Sequence, residues 1–98
     1  MRTIELFRFF EDKETLQAFN LVLWIEIHKT KIVFKEEYST REDDGYWEEF
    51  PVENIKSLKI SEELSLALQK LGDEEALNTI KKLLEPDFIE YLSDYKIA

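Results

Sequence analysis

The clearest pattern in the chain is the alternation of apolar and polar residues over 21–27 and again over 32–38, which is typical of two β-strands. A tight turn between them would form an antiparallel hairpin. A further strand is predicted at 3–10, where the alternation is imperfect, and another at 46–52. Pro51 indicates that this last strand ends there or lies at the edge of a sheet, because proline cannot donate to a strand ladder.

The hairpin has one register that aligns its apolar residues. A turn at 29–30 would place Ile27 opposite Ile32 and Ile25 opposite Phe34. Because side chains alternate between the two faces of a sheet, this register turns one apolar row inward on both strands. The other face, which carries Trp24 and Val33 among charged residues, is only half apolar.

Three segments of the first sixty residues lie outside these predicted strands. Residues 12–20 favour a short helix, with Asp12 as its N-cap, or a loop that leads into the next strand. Residues 39–45 are polar and are predicted to form a loop. Residues 52–60 are interpreted as a turn followed by a short strand.

The last third of the chain has helical periodicity. Ser61 is an N-cap residue, and acidic residues follow it in the first turn, where they interact favourably with the helix dipole. Gly72 is predicted to stop this helix, and Asp73 to start a second one. Pro86 opens a third helix at a position where proline is tolerated; its buried stripe is predicted to include Tyr95.

These elements predict an α+β fold for residues 1–98, taken as a single domain. An antiparallel β-meander of three to four strands, within residues 3–60, precedes three C-terminal helices that pack on one face of the sheet. The 44% hydrophobic content is sufficient for a core in a domain of this size.

The net charge of −9, from 22 acidic and 13 basic residues, indicates which classes of partner the protein favours. It disfavours direct nucleic-acid binding, which depends on cations that displace condensed counterions. It also disfavours anionic membrane surfaces. It favours fast association with a protein that has a basic surface.

The N-terminal residues lack a signal-peptide pattern, and the longest apolar run, 21–25, is far too short to cross a bilayer. The chain has no cysteine, which suits a reducing compartment and excludes thiolate chemistry. A cytoplasmic location is the resulting expectation.

Candidate chemistry is sparse. The single histidine, His28, is interpreted as a solvated residue at a strand end, because a metal site needs several convergent ligands. No serine has the context of a nucleophile elbow, and the two glycines do not form a phosphate loop. We therefore expect no enzyme activity, no cofactor and no bound metal.

One segment combines acidic and aromatic residues. Within 36–50, acidic side chains surround two tyrosines, a tryptophan and a phenylalanine, with a single arginine among them. Aromatic residues anchor interfaces, and the charge around them steers encounter. The candidate partner-binding residues are Glu42, Asp43, Asp44, Tyr46, Trp47, Glu48 and Glu49. The alternative is an ordinary solvated hairpin loop.

Two functional hypotheses follow. The first is a small acidic binding or inhibitory protein, of the kind represented by immunity proteins, antitoxins and phage inhibitors, that recognises a basic protein. The second is a structural or scaffolding subunit of a homodimer or larger complex, in which the half-apolar face around Trp24 and Val33 is buried.

Overall fold

The structure is a computed structural model that describes residues 1–42 and 45–98. Its elements follow the predicted order, with strands before helices, apart from a short final strand. They are β1 (Arg2–Asp12), β2 (Gln17–Ile27), β3 (Lys31–Glu42), β4 (Glu48–Glu49), β5 (Glu53–Lys59), α1 (Glu62–Lys70), α2 (Asp73–Lys81), α3 (Pro86–Leu92) and β6 (Lys96–Ile97). The predicted α+β class is confirmed.

Over the described residues the sheet has six antiparallel strands, so the predicted number of three to four is too small. Strands β1, β2 and β3 form a meander at its centre. At one edge β4 and β5 both pair with β3, and at the other edge β6 pairs with β1. The sixth strand comes from residues 96–97, which follow the helices and carried too short a pattern to be recognised.

The predicted hairpin register is confirmed. Ile27 lies opposite Ile32, and Ile25 lies opposite Phe34. The main-chain amide of His28 donates to the carbonyl oxygen of Lys31 at 2.8 Å, which closes the turn. The apolar row that the sequence aligns across the two strands is therefore the row that the core buries.

The helical interpretation of residues 12–20 is wrong. β1 continues to Asp12 and β2 begins at Gln17, with a four-residue turn between them. Leu16 has φ of 57°, a left-handed conformation, and is 58% exposed, so it belongs to the turn and not to an apolar face. One oxygen of the Asp12 carboxylate stabilises the turn by accepting the main-chain amide of Glu14 at 2.9 Å.

The edge beside β3 also differs from expectation. Residues 39–42, predicted as loop, extend β3, and the predicted strand at 46–52 contracts to the two residues of β4. The ambiguous segment after it forms β5, whose pairing with β3 shifts register between Phe34 and Lys35. Pro51 lies between β4 and β5, where its missing N–H leaves no gap in a ladder.

The helices begin where the sequence predicts. The Ser61 hydroxyl caps α1 by accepting the main-chain amide of Leu64 at 3.1 Å, and Pro86 lies in the first turn of α3. The Arg2 guanidinium donates to the carbonyl oxygens of Leu68 and Leu71 at the end of α1. Helix α3 ends at Leu92. Tyr95 is buried, as predicted, but it lies in the segment after the helix and is not part of the apolar stripe of the helix.

The helices cover only half of the long sheet. The covered half comprises β1 up to Leu6, β2 from Leu23 and β3 up to Glu36, three residues that lie side by side. Its inward side chains form the core with the helices. The rest of these strands, with β4, is called the bare half, because the core cluster reaches it only through the partly buried Leu21. The molecule is accordingly elongated, 48 × 22 × 21 Å.

Candidate interaction surface

The described members of the predicted partner-binding set lie at the tip of the bare half. Glu42 ends β3, and Glu48 and Glu49 form β4 opposite Thr40 and Ser39. Both glutamates are exposed. Asp43 and Asp44 lie outside the described residues.

The two aromatic residues of this prediction are accessible. Tyr46 is 99% exposed, which leaves its ring and hydroxyl free for a partner. Trp47 is 40% exposed, and the guanidinium of Arg41 lies 5.1 Å from the centre of its ring. The Arg41–Trp47 contact holds the indole against the sheet while one side of it remains open.

More aromatic rings lie on the face of the bare half that continues from the core. Phe10 stacks on Phe19 with ring centres 4.6 Å apart, and Tyr38 stacks on Phe50 with centres 4.3 Å apart. The register places Leu21 beside Tyr38 in this row. Such pairs are normally buried, yet Phe10 and Tyr38 are 39% and 37% exposed.

The opposite face of the bare half also exposes aromatic rings. Phe7 and Phe9 lie on it, 40% and 51% exposed.

Sequence reasoning missed Phe9, Phe10 and Phe19 as surface residues, because their position beside the acidic segment is created by strand pairing. The available signal was the concentration of three phenylalanines within 7–10, next to a chain reversal.

Acidic residues predominate around these rings. Over the described residues of 7–22 and 37–50, the acids are Glu11, Asp12, Glu14, Glu37, Glu42, Glu48 and Glu49, and the bases are Arg8, Lys13 and Arg41. The arginines are engaged within the molecule: Arg8 lies 4.9 Å from the ring centre of Phe10, and its Nη2 is 3.5 Å from an Asp94 oxygen. The accessible charge of the bare half is thus negative.

A second polar cluster lies at the border of the two halves. The Tyr91 hydroxyl donates to the Glu36 carboxylate and lies 3.2 Å from the Tyr95 hydroxyl. Burial, and then the charge of Glu53, raises the pKa of Glu36 above its usual range. Burial, with the Glu36 charge beside it, likewise raises the pKa of Tyr95. A shallow groove of about 460 Å³ adjoins the cluster and is walled by Phe88 and Tyr91.

His28 is half-buried, and the expectation of a solvated side chain is only partly met. Its Nε2 lies 3.0 Å from Oε1 of Glu26, and the other Glu26 oxygen is 3.1 Å from Lys35 Nζ. The hydrogen bond with His28 is the main cause that lowers the pKa of Glu26; partial burial opposes it and Lys35 adds to it. Among the described residues no group of three or more acidic or histidine side chains is placed to hold a metal ion.

None of the described helices has the length and apolar character needed to cross a bilayer. Comparison with family models, with curated proteins and with solved structures finds no match to this chain.

Proposed function

We propose that this chain is a non-enzymatic binding protein that recognises a basic protein surface through the tip of the bare half, whose described residues are 42 and 45–50. The observation that carries the proposal is the exposure of aromatic rings among accessible carboxylates at one end of the sheet. Aromatic side chains supply contact area at small entropic cost, and the surrounding charge steers encounter with a basic partner.

The internal contacts of this region support a partner rich in arginine or lysine. Phe10 and Trp47 each already receive a guanidinium group from within the chain, at 4.9 and 5.1 Å. Cation–π contacts of this kind contribute about 0.5–1 kcal/mol at exposed sites. Tyr46, which is almost fully exposed, offers a ring of the same type to an incoming cation.

The structural-subunit hypothesis, in its original form, needs the face around Trp24 and Val33 to be buried by another molecule. Val33 is 8% exposed and Trp24 is half-buried. The ion pair between Glu26 and Lys35 crosses the same face. This face therefore offers a partner less apolar area than the bare half does.

A binding experiment with matched charge variants tests the proposal. Wild-type protein immobilised on beads captures partners from the lysate of the native host, and mass spectrometry identifies them. The variant E48K/E49K should lose the captured protein. The control E63K/E90K, which makes the same change of charge on exposed residues of α1 and α3, should keep it.

The identified partner then provides a quantitative measurement. Its affinity for the wild type should fall as salt increases, because exposed charges are screened. Replacement of Tyr46 by serine should weaken binding by about 1 kcal/mol or more. Equal loss of affinity in E48K/E49K and E63K/E90K would mean that overall charge, and not this tip, governs binding.

A further inference from the structure

We infer that two copies of this chain pair antiparallel through the free edge of β1, about a twofold axis at Phe10. The inference is independent of the proposed function, since it uses the edge of the sheet opposite to β4. It rests on the backbone edge, on the charges along it and on the rings beside it.

The free edge of β1 is short and well defined. β6 pairs with β1 only at Leu6 and Phe7, and the turn begins after Asp12, so residues 8–12 have no strand beside them within the described chain. The main-chain amide of Ala98 donates to the carbonyl oxygen of Glu5. In an antiparallel strand the main-chain N–H and C=O groups of alternate residues face the same neighbour, so those of the odd-numbered residues of β1 face this edge. The N–H and C=O groups of Phe9 and Glu11 are therefore directed outward.

The other edge of the sheet is less suited to strand addition. β4 has two residues, Pro51 interrupts the chain after it, and the β5 ladder shifts register. Lys56 and Lys59 lie along β5. Proline, bulges and charged side chains, above all lysine, block sheet edges in natural proteins. The 8–12 stretch has no proline, bulge or lysine, and its own charges oppose an unrelated strand unless that strand carries the complementary charges.

The stretch 8–12 is complementary to itself. When Phe10 faces Phe10 of a second copy, Phe9 and Glu11 form hydrogen-bonded pairs with Glu11 and Phe9 of that copy, which is the parity the outward groups require. Arg8 then lies opposite Asp12 of the second copy, and Asp12 opposite its Arg8. In this arrangement the Arg8 guanidinium exchanges its 3.5 Å contact with the exposed Asp94 carboxylate for the facing Asp12 carboxylate. Opposite charges directly across a pair of strands stabilise the pairing.

Rings and charges agree with this register. Arg8, Phe10 and Asp12 project from one face of β1, since alternate residues share a face. Phe10 stacks on Phe19, so pairing would join two stacks into a row of four rings across the axis. Asp12 uses Oδ1 for the turn amide, and its second oxygen is available to a guanidinium.

A second copy is favoured over an unrelated strand because Phe10 is the middle residue of the free stretch and also lies midway between the complementary charges of Arg8 and Asp12. β6 bounds the stretch on one side and the turn bounds it on the other, and Phe10 is its middle residue. The net charge of −9 opposes association of two copies, so the dimer is expected to form only at high protein concentration.

Charge reversal at the two positions tests the register. Sedimentation equilibrium of the wild type should show a monomer–dimer equilibrium at concentrations up to about 1 mM. R8E and D12K should each weaken self-association by about tenfold or more, because each variant places like charges opposite each other. An equimolar mixture of R8E and D12K should recover the wild-type affinity within about threefold, because the heterodimer has two attractive pairs.

This design separates the register from overall charge. D12K makes the chain less negative by two charges, so general repulsion alone predicts a tighter dimer, whereas the register predicts a weaker one. D12N keeps the acceptor for the turn amide and should weaken the dimer less than D12K does. E11P removes an outward N–H and should abolish the dimer.

Three results would overturn the inference. They are a wild type that remains monomeric up to the highest concentration, a D12K variant that dimerises more tightly than the wild type, and a mixture no tighter than its components. Circular dichroism of each variant establishes that its monomer is folded, so that loss of the dimer is not loss of the fold.

Discussion

The covered and bare halves of the sheet consist of the same three strands, yet they bury their side chains very differently. On the face toward the helices, Ile4, Ile25 and Phe34 in the covered half are 0% exposed. Phe10 and Tyr38, which lie a few residues further along the same strands, are more than a third exposed. Strand pairing continues through both halves, whereas the core cluster formed with the helices is concentrated in the covered half.

Apolar burial and accessible aromatic surface are therefore separated along the same strands. Burial of apolar area contributes most of the folding free energy, and it is concentrated where the helices lie. The aromatic residues of the bare half contribute less to folding, since water still reaches them, and the same accessibility allows them to contact another molecule. Variants in the two halves should therefore affect different properties.

The largest effect is expected from Phe34, which is fully buried and meets Phe88 edge to face with ring centres 5.1 Å apart. F34A should reduce the free energy of unfolding by about 3–5 kcal/mol, measured by denaturant titration. F34L should cost about 1 kcal/mol and provides a value if F34A does not fold. The matched variant of the bare half, Y46A, should change stability by less than about 0.5 kcal/mol; similar losses at Phe34 and Tyr46 would contradict the division.

A smaller effect is expected at Arg2, whose guanidinium satisfies two carbonyl oxygens at the end of α1 and lies 2.7 Å from the Asp73 carboxylate at the start of α2. R2M keeps the length of the side chain and removes the donors. It should lower stability by about 2 kcal/mol, because the half-buried carbonyls lose a charged partner. Thermal unfolding measures the loss, and R2K should fall between R2M and the wild type, since it keeps the charge without the planar fork.

The smallest effect is expected at Glu36, on the border between the halves. Its pKa is raised by burial and by Glu53, so the folded state holds the proton more tightly than the unfolded state does. The stability this provides is complete below the unfolded pKa and is lost as pH rises through the folded value. E36Q, which removes the buried charge, should raise Tm by about 2 °C at pH 7 after allowance for screening by water.

At about pH 4 that gain should largely disappear, because Glu36 is then protonated in a growing fraction of both states. E53Q removes one of the two causes of the raised pKa and should give part of the same gain. A Tm difference between E36Q and the wild type that is equal at both pH values would contradict the assignment of the raised pKa to Glu36.

Sequence patterns predicted the covered half better than the bare half. The hairpin register at Ile25 and Phe34 followed from alternation, since burial of one face enforces a period of two. The helix starts at Ser61 and Pro86 followed from local backbone chemistry. The helical prediction for residues 12–20 was wrong because Leu16 and Phe19 have the spacing of one helix face. Pairing of β1 with β2 instead makes Leu16 a turn residue and Phe19 a strand residue.

The candidate surface was predictable only in part. Residues 42–49 stood out because their acids and rings are adjacent in the chain. Phe9 and Phe10 could not be assigned to the same region, because strand pairing and the short reach of the helices, neither of which is a local property, bring them there exposed. The Glu36–Tyr91 contact, between residues 55 positions apart, left no local signal.

The inequality of the two sheet edges determines how large any assembly could grow. A sheet with two equivalent open edges can add copies at both, as an endless ribbon that eventually precipitates. Here the register shift beside Phe34 and the break at Pro51 interrupt one side, and residues 8–12 would be consumed when two copies meet. Growth would therefore terminate at two, because a twofold contact is closed, and a concentrated solution should contain discrete particles rather than fibres.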